Sequence, residues 1–502
     1  MYMASLFTRA EIAFLESVSR IAYGNPFLPE LIDWERKALG SEYQPRPQHW
    51  SLDVENPEER RTNSWRIAAK VDTLLDTVPL RMRRGAQPMD HELVLYEDAA
   101  LFALYHRMHD QLFETAIVRK DGKTPYYRAF LESWRERIVR SEFTLPSGHE
   151  PRHTWACFFQ IVRAFHHIFN SIVGASATAA RLREAIWQSV FTHDIRRYRR
   201  CFYARMGEFA TLITGRSGTG KELVARSISL SRYIPFDERS MSFGEDLSGH
   251  FHPIHIGSLT NTLVESELFG HKRGSFTGAI NDRRGWLEAC PQLGAVFLDE
   301  IGELSGEMQM KLLRVIETRQ FTPVGDTAPK RFEGKLIAAT HRNLPAMIAD
   351  GNFREDLYYR LCSDLIETPS LADQVRESPS VLRDLVFYLA RRNAGDEAQS
   401  LADEAYEWIV ANLGENYDWP GNYRELEQCV RNLIIRREYR PVRRIARERE
   451  SPFDAAVRGE ITAEELVRRY CRLVYSQTGS YEETARRIGL DRRTVKAKIE
   501  AQ

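Results

Sequence analysis

Eight residues near the middle of the chain, GRSGTGKE from Gly215 to Glu222, leave the backbone few options. They follow a strand-like apolar run, Thr211 to Thr214, and open a helical stretch, Glu222 to Leu230, the setting in which a glycine-rich loop wraps a polyphosphate. Gly215, Gly218 and Gly220 let successive N–H groups turn toward anionic oxygens. Arg216, Ser217 and Thr219 fill the turn, and Lys221 adds a point charge at the helix N-terminus. The Ser or Thr that ordinarily follows the lysine as a magnesium ligand is Glu222 here, so the loop alone leaves a glycine-rich surface turn as the other option.

A second buried-strand run, Ala295 to Leu298, ends in Asp299 and Glu300. Two carboxylates at a strand's C-terminal edge, downstream of a phosphate loop, suit metal-assisted phosphoryl transfer. Asp299 is placed to hold magnesium and Glu300 to polarise an attacking water. An isolated apolar run ending in two acids is otherwise just a strand leaving a core.

Residues from about 190 to 435 resemble the AAA+ ATPase domain of bacterial enhancer-binding proteins, the activators of sigma-54 RNA polymerase. The resemblance rests on GRSGTGKELVAR at 215–226, ESELFGHKRGSFTGA at 265–279, GAVFLDEIGEL at 294–304, QMKLLRVIE at 309–317, FREDLYYRL at 353–361 and WPGNYREL at 419–426. It implies an α/β fold, an AAA+ P-loop NTPase core with a helical lid, that takes ATP and Mg2+ and tolerates Glu222 after the lysine. It further implies that Gly274, Ser275, Phe276, Thr277, Gly278 and Ala279 form the loop that engages sigma-54, with Phe276 and Thr277 as the contacting pair and Ser275 replacing the family's alanine. Arg354 and Arg360 match the pair that reaches into a neighbouring subunit's nucleotide, which requires a ring, a hexamer in this family; Arg424 matches the sensor arginine of the lid.

Two departures touch the chemistry. His255 stands where the family has the asparagine coupling the catalytic glutamate to target binding, and His341, after Thr340, replaces the first-sensor asparagine. An amide offers an acceptor and two donors, whereas neutral imidazole has one of each and titrates near neutral pH. The pair is therefore expected to keep a coupled switch, to make turnover pH-sensitive, or simply to slow hydrolysis. Two departures lie elsewhere: PSLADQVRE at 369–377 replaces a PLRER-like stretch, and Asp237 to His250 reads as an inserted surface loop.

The last segment carries DNA chemistry. SYEETARRIG, 480–489, and LDRRTVKAKI, 490–499, form two short helices around a glycine turn, with Ser480 and Asp491 as caps and Ile461 to Thr478 as a preceding helix. The segment resembles the Fis-type helix-turn-helix, and Arg492, Arg493, Thr494, Lys496 and Lys498 are its candidate contacts to double-stranded enhancer DNA. From residue 436 onward 17 Arg and Lys face 11 Asp and Glu, +6, whereas the whole chain balances 70 against 70. The arginine-rich stretch 436–450 reads as a linker that touches phosphates or as a solvated arm.

Residues 1–190 resist decoding. Amphipathic runs at 92–118, 126–139 and 152–173 read as helices of one all-α domain, with no receiver-like alternation of strand and helix. His149, His153 and Cys157 are four residues apart, but Pro151 interrupts the first interval and the flanking Trp155, Phe158 and Phe159 mark a core helix rather than a metal stripe. Six scattered cysteines without metal spacing suit a reducing cytoplasm, and no apolar run is long enough to span a membrane. The expected organisation is a helical regulatory domain at 1–190, an ATPase α/β subdomain at 191–368, a lid at 369–438, a basic linker at 439–460 and a DNA-binding domain at 461–502. As a whole the chain reads as an oligomeric, cytoplasmic bacterial activator of sigma-54 RNA polymerase holoenzyme, nucleoid-associated when bound to DNA. The competing readings are a DNA-binding regulator with a weakened motor and an AAA+ remodeller of another protein.

Overall fold

The computed structural model describes residues 5–47, 62–119, 122–139, 144–148, 150–244, 250–394, 397–441 and 461–500. Its centre is a five-stranded sheet of β1 (Thr211–Thr214), β2 (Phe251–His255), β3 (Ala295–Asp299), β4 (Lys335–Thr340) and β5 (Asp364–Glu367), in the order β5-β1-β4-β3-β2 and parallel throughout. A parallel sheet needs both faces covered, so the middles of its central strands are apolar. Alternate residues serve opposite layers. Leu212, Val296, Leu298, Leu336 and Ala338 pack with Leu268, Leu312 and Leu357 on one side. Ile213, Phe297, Ile337 and Ala339 pack with Val224, Ile228, Trp187 and Phe191 on the other. This is the α/β P-loop core that the sequence predicts.

The second face continues into the N-terminal helical region. Helix Ala177–Phe191 rests on the sheet, where Ser189 donates to Asp364 at 2.5 Å, and Ile168 and Phe169 of helix Pro151–Ser171 join the same core. Further out, helices Arg9–Tyr23, Glu30–Leu39, Thr62–Asp76, Asp90–Phe113 and Tyr127–Arg137 complete an all-α layer. The run expected to be helical over 92–118 is helix to Phe113 and then loosens into a π-helical turn, Glu114–Arg119.

The segment expected to be a surface loop is partly core. Phe236–Asp237 and Ser242–Phe243 pair as an antiparallel hairpin, and Phe243, fully buried, stacks on Phe159 with ring centroids 3.6 Å apart. The backbone N–H of Phe243 donates to Gly122 O at 2.9 Å, that of Thr124 donates to Met241 O at 3.0 Å, and Tyr127 donates to Glu238. Aromatic residues spaced to reach the helical layer outweigh the polar composition of the strip. Residues 245–249 lie outside the described residues.

Helices Leu371–Glu377, Ser380–Ala394, Ala398–Asn412 and Asn422–Arg436 form the lid, with Ser370 capping the first through Asp373 N at 3.1 Å. In the altered PSLADQVRE stretch, Arg376 pairs with Asp373 and Asp418.

A second compact unit begins at residue 436. Its helices, Ala463–Thr478, Tyr481–Ile488 and Arg492–Glu500, enclose Cys471, Val474, Ala485 and Val495. Ser480 caps through Glu483 N, Gly489 turns the chain with φ +75°, and Asp491 caps through Thr494 N at 2.9 Å. Most of the expected basic linker, from residue 442 to 460, lies outside the described residues.

Candidate nucleotide site and its surface loop

Parallel register sets the site. Thr214 pairs with Glu367 and Thr340, and Asp299 with Ala339 and His255, so the C-terminal ends of all five strands form one edge. The glycine-rich loop leaves that edge from Thr214. Gly218 takes φ +79° and lies so close to Gly421 that a Cβ would collide with its carbonyl. Lys221 begins helix Lys221–Leu230 and folds its Nζ back to Gly215 O at 3.0 Å and Arg216 O at 3.2 Å. Burial lowers the Lys221 ammonium's pKa, with Asp299 and Glu300 opposing that shift and Arg424 adding to it. Arg216, Ser217 and Glu222 are exposed, and Glu222 faces Arg226 at 3.6 Å.

Three residues outside the expected set complete the loop. Thr368 bonds Thr219 Oγ1 at 2.7 Å, Asn422 donates to Ser217 O at 2.9 Å, and Tyr423 N donates to Gly218 O at 3.1 Å. The lid is thus stitched directly to the phosphate loop. Asn422 lies inside the WPGN motif and was open to recognition; Thr368, one residue past β5, has no sequence signal.

The two acids occupy opposed environments. Burial and the adjacent Glu300 charge hold the Asp299 carboxyl above the usual range; His255 Nδ1 sits 3.6 Å from Asp299 Oδ2 and pulls the other way. Burial also pushes Glu300 upward, but there the hydrogen bonds of His341 prevail and leave it below the ordinary value. His341 Nδ1 lies 2.7 Å and its backbone N 3.2 Å from Glu300 Oε2, with Thr340 Oγ1 at 3.4 Å. Glu300 itself adopts a left-handed backbone, φ +60° and ψ +51°, uncommon for a residue with a side chain. The two substituted histidines therefore flank the acids one on each side. The carboxylate of Asp299, at the strand edge opposite Lys221, is a chemically suitable magnesium ligand.

Ser275 to Ala279 crown a short hairpin stem, Gly270–His271 against Arg283–Arg284. Gly274 N donates to Ala279 O at 2.8 Å and Ala279 N to Phe276 O at 3.0 Å, closing a compact turn. Gly274 and Gly278 take φ +81° and +103°. The Phe276 ring meets His271 edge-on at 4.9 Å, while Thr277 is exposed. In this conformation Phe276 is folded down on the stem and Thr277 marks the tip.

Arg354 and Arg360 lie away from these contacts. Arg354 precedes helix Glu355–Leu361 and forks onto Asp356 at 3.0 and 2.7 Å; Arg360 meets Glu317 at 3.1 Å. Both are exposed. Of the candidate DNA contacts, Arg492, Arg493 and Lys496 are exposed, Thr494 bonds its cap Asp491, and Lys498 leans back to Glu464 at 3.5 Å. The His153 ring bonds Tyr233 OH at 2.9 Å and Arg199 O at 2.8 Å, and among the described residues no cluster of metal-ligating side chains occurs. His149 lies outside the described residues. Among the described residues no helix is long and apolar enough to cross a membrane.

Residues 176–367 match the family model described as the sigma-54 interaction domain. This stretch is a sigma-54 interaction domain. It holds the phosphate loop, both acids, both histidines and the Phe276 loop, whereas Asn422, Arg424 and the three C-terminal helices lie beyond it. The chain is 39% identical over 226 residues to the DNA-binding transcriptional regulator NtrC of Azospirillum brasilense, covering 45% of this chain and 43% of that one. It is 36% identical over 306 residues to the transcriptional regulatory protein ZraR of Escherichia coli K12, covering 58% and 63%. The chain thus spans about half the length of the curated relatives it matches. The crystal structure of NtrX from Brucella abortus aligns at 24% identity over 74% of this chain and 79% of that one, with a TM-score of 0.39.

Proposed function

We propose that the chain is an ATP-hydrolysing regulator of sigma-54-dependent transcription. One observation carries the reading: within a sigma-54 interaction domain, parallel register brings Lys221, Asp299 and Glu300 to one strand edge, and the same domain presents the Phe276–Thr277 turn. Lys221 and the Gly215–Gly220 amides hold the polyphosphate of ATP. Asp299 would hold Mg2+, which supplies charge neutralisation at the transferring phosphoryl group. Glu300, kept anionic by His341, orients and polarises water. Arg424 reports nucleotide occupancy to the lid. Arg354 and Arg360 exchange their present carboxylate partners for a neighbouring protomer's nucleotide in a ring. The turn then bears on sigma-54, and Arg492, Arg493 and Lys496 anchor the assembly to enhancer DNA. The test is ATP-dependent open-complex formation by sigma-54 polymerase on a supercoiled promoter, with Lys221→Ala as control. Activity lost in that control supports the reading; hydrolysis without open complexes redirects it to another protein target.

A weakened motor is the second reading, favoured by the direct His341 to Glu300 contact at 2.7 Å, which ties up a lone pair of the water-polarising carboxylate. Nucleotide binding without turnover, with turnover restored in His341→Asn, would establish it.

A further inference from the structure

A cavity of about 1170 Å³ lies within the first compact unit, between the N-terminal helical layer and the lid. Phe102, Tyr105, Phe158, Phe165 and Trp187 line it from the helical side, and Phe387 from lid helix Ser380–Ala394. Such a volume, apolar over most of its wall, matches a site for a small organic molecule rather than for water or an ion.

Three buried charged side chains reach this wall: Glu35, Asp98 and Arg199. Glu35 accepts a fork from Arg46 at 2.9 and 3.1 Å. Asp98 accepts a two-pronged fork from Arg196, Nε and one Nη meeting its two carboxylate oxygens. Arg199, 5% exposed, has no carboxylate partner: one Nη donates to Thr154 Oγ1 at 3.3 Å, the guanidinium also meets the Cys157 thiol, and its Nε has no hydrogen-bond partner. Among the described residues no carboxylate forms an ion pair with it. Its neighbours do not supply the missing charge. Burial holds the Tyr23 hydroxyl far above its ordinary range and pushes the Cys157 thiol up to about 11, so both stay neutral. Glu97 directs its two carboxylate oxygens to Ser147 N and Oγ and forms no ion pair with Arg199. A buried guanidinium without a counter-charge is unfavourable unless an anion meets it, and a single planar fork matches a carboxylate.

We infer that this cavity binds an apolar monocarboxylate, its acid group on Arg199 and its hydrocarbon body among the aromatic rings. Because the wall includes lid residues Phe387 and Ala402, an occupant touches the helical layer and the lid at once. The inference is independent of ATP hydrolysis.

The test is calorimetric titration of the full chain, without nucleotide, using 2-naphthoate and its uncharged analogue 2-naphthylmethanol. Saturable binding of naphthoate about tenfold or more tighter than the alcohol is expected, the difference reflecting a charge-assisted hydrogen bond. Arg199→Gln should erase that preference. Asn170→Trp, at an exposed position on the cavity wall, should weaken both probes without touching the buried arginine, so the test stands even where Arg199→Gln fails to fold. Absence of saturable naphthoate binding to the wild-type chain, equal affinity for the two probes, or binding unaltered by Asn170→Trp would each overturn the inference.

Discussion

The strand-edge site and the helical cavity both bury positive charge, but they neutralise it differently. At the edge, Lys221 lies near two consecutive acids at the end of a single strand, Ala295–Asp299, and its Nζ is already bonded to loop carbonyls. In the cavity, Arg199 is held by a π-helical turn, Tyr198–Phe202, with one hydroxyl contact and no acid of its own. The first arrangement follows from local sequence because each chemical group sits at the end of a strand, where the chain must leave the sheet. The second needs helices separated by well over a hundred residues to converge, and no short motif encodes that.

The largest effect should come from Lys221→Ala. Removing the ammonium from the strand edge should lower ATP turnover on the order of a hundredfold or more, the cost of deleting one preorganised electrostatic group. Calorimetric naphthoate binding should be unchanged. Loss of both would mean that the two sites are not separate and would break the comparison.

Phe243→Ala probes the other side. Deleting a fully buried ring stacked on Phe159 should cost about 3 kcal/mol or more of stability. Hydrogen exchange should locate the loosening in helices Tyr127–Arg137 and Pro151–Ser171, with ADP affinity little changed. Exchange confined to the hairpin itself would show that it is an appendage after all.

That hairpin shows where sequence reading stops. The glycine-rich loop, the strand-end acids and the two short C-terminal helices were legible because backbone constraints and chemistry coincide within a few residues: Gly218 must approach Gly421, Asp299 must end a buried strand, and Asp491 must cap a helix. Asp237 to His250 was misread because its polar residues hid the buried Phe243. Thr368 and Arg199 were illegible for a related reason. An isolated threonine after a strand and one arginine among several acquire their roles only from what tertiary packing places beside them.

His341→Ala separates the two acids. Glu300 sits below its ordinary pKa because of the His341 hydrogen bonds, so it contributes stability above the unfolded carboxylate pKa that is lost as pH falls through the folded one. Without the imidazole the Glu300 pKa should rise, moving the acid limb of the ATPase pH profile to higher pH while the Asp299 environment is retained. An unmoved acid limb would assign that titration to Asp299 or to substrate rather than to Glu300. His341→Asn should restore the limb in part, since an amide also donates to the carboxylate.

The smallest effect, and the finest discrimination, concerns the C-terminal unit, where Lys496 and Lys498 lie two residues apart on one helix. Lys496 is exposed, whereas Lys498 reaches Glu464 at 3.5 Å within the unit. If helix Arg492–Glu500 contacts DNA phosphates, Lys496→Ala should weaken binding about equally on specific and nonspecific duplexes and reduce the salt dependence of log K by about one. Lys498→Ala should leave that slope nearly intact and instead loosen the packing of Ala463–Thr478 against the last helix. Equal slopes lost at both positions would mean that Lys498 leaves Glu464 on binding DNA, an exchange of partners of the same kind that the proposed ring would ask of Arg354 and Arg360.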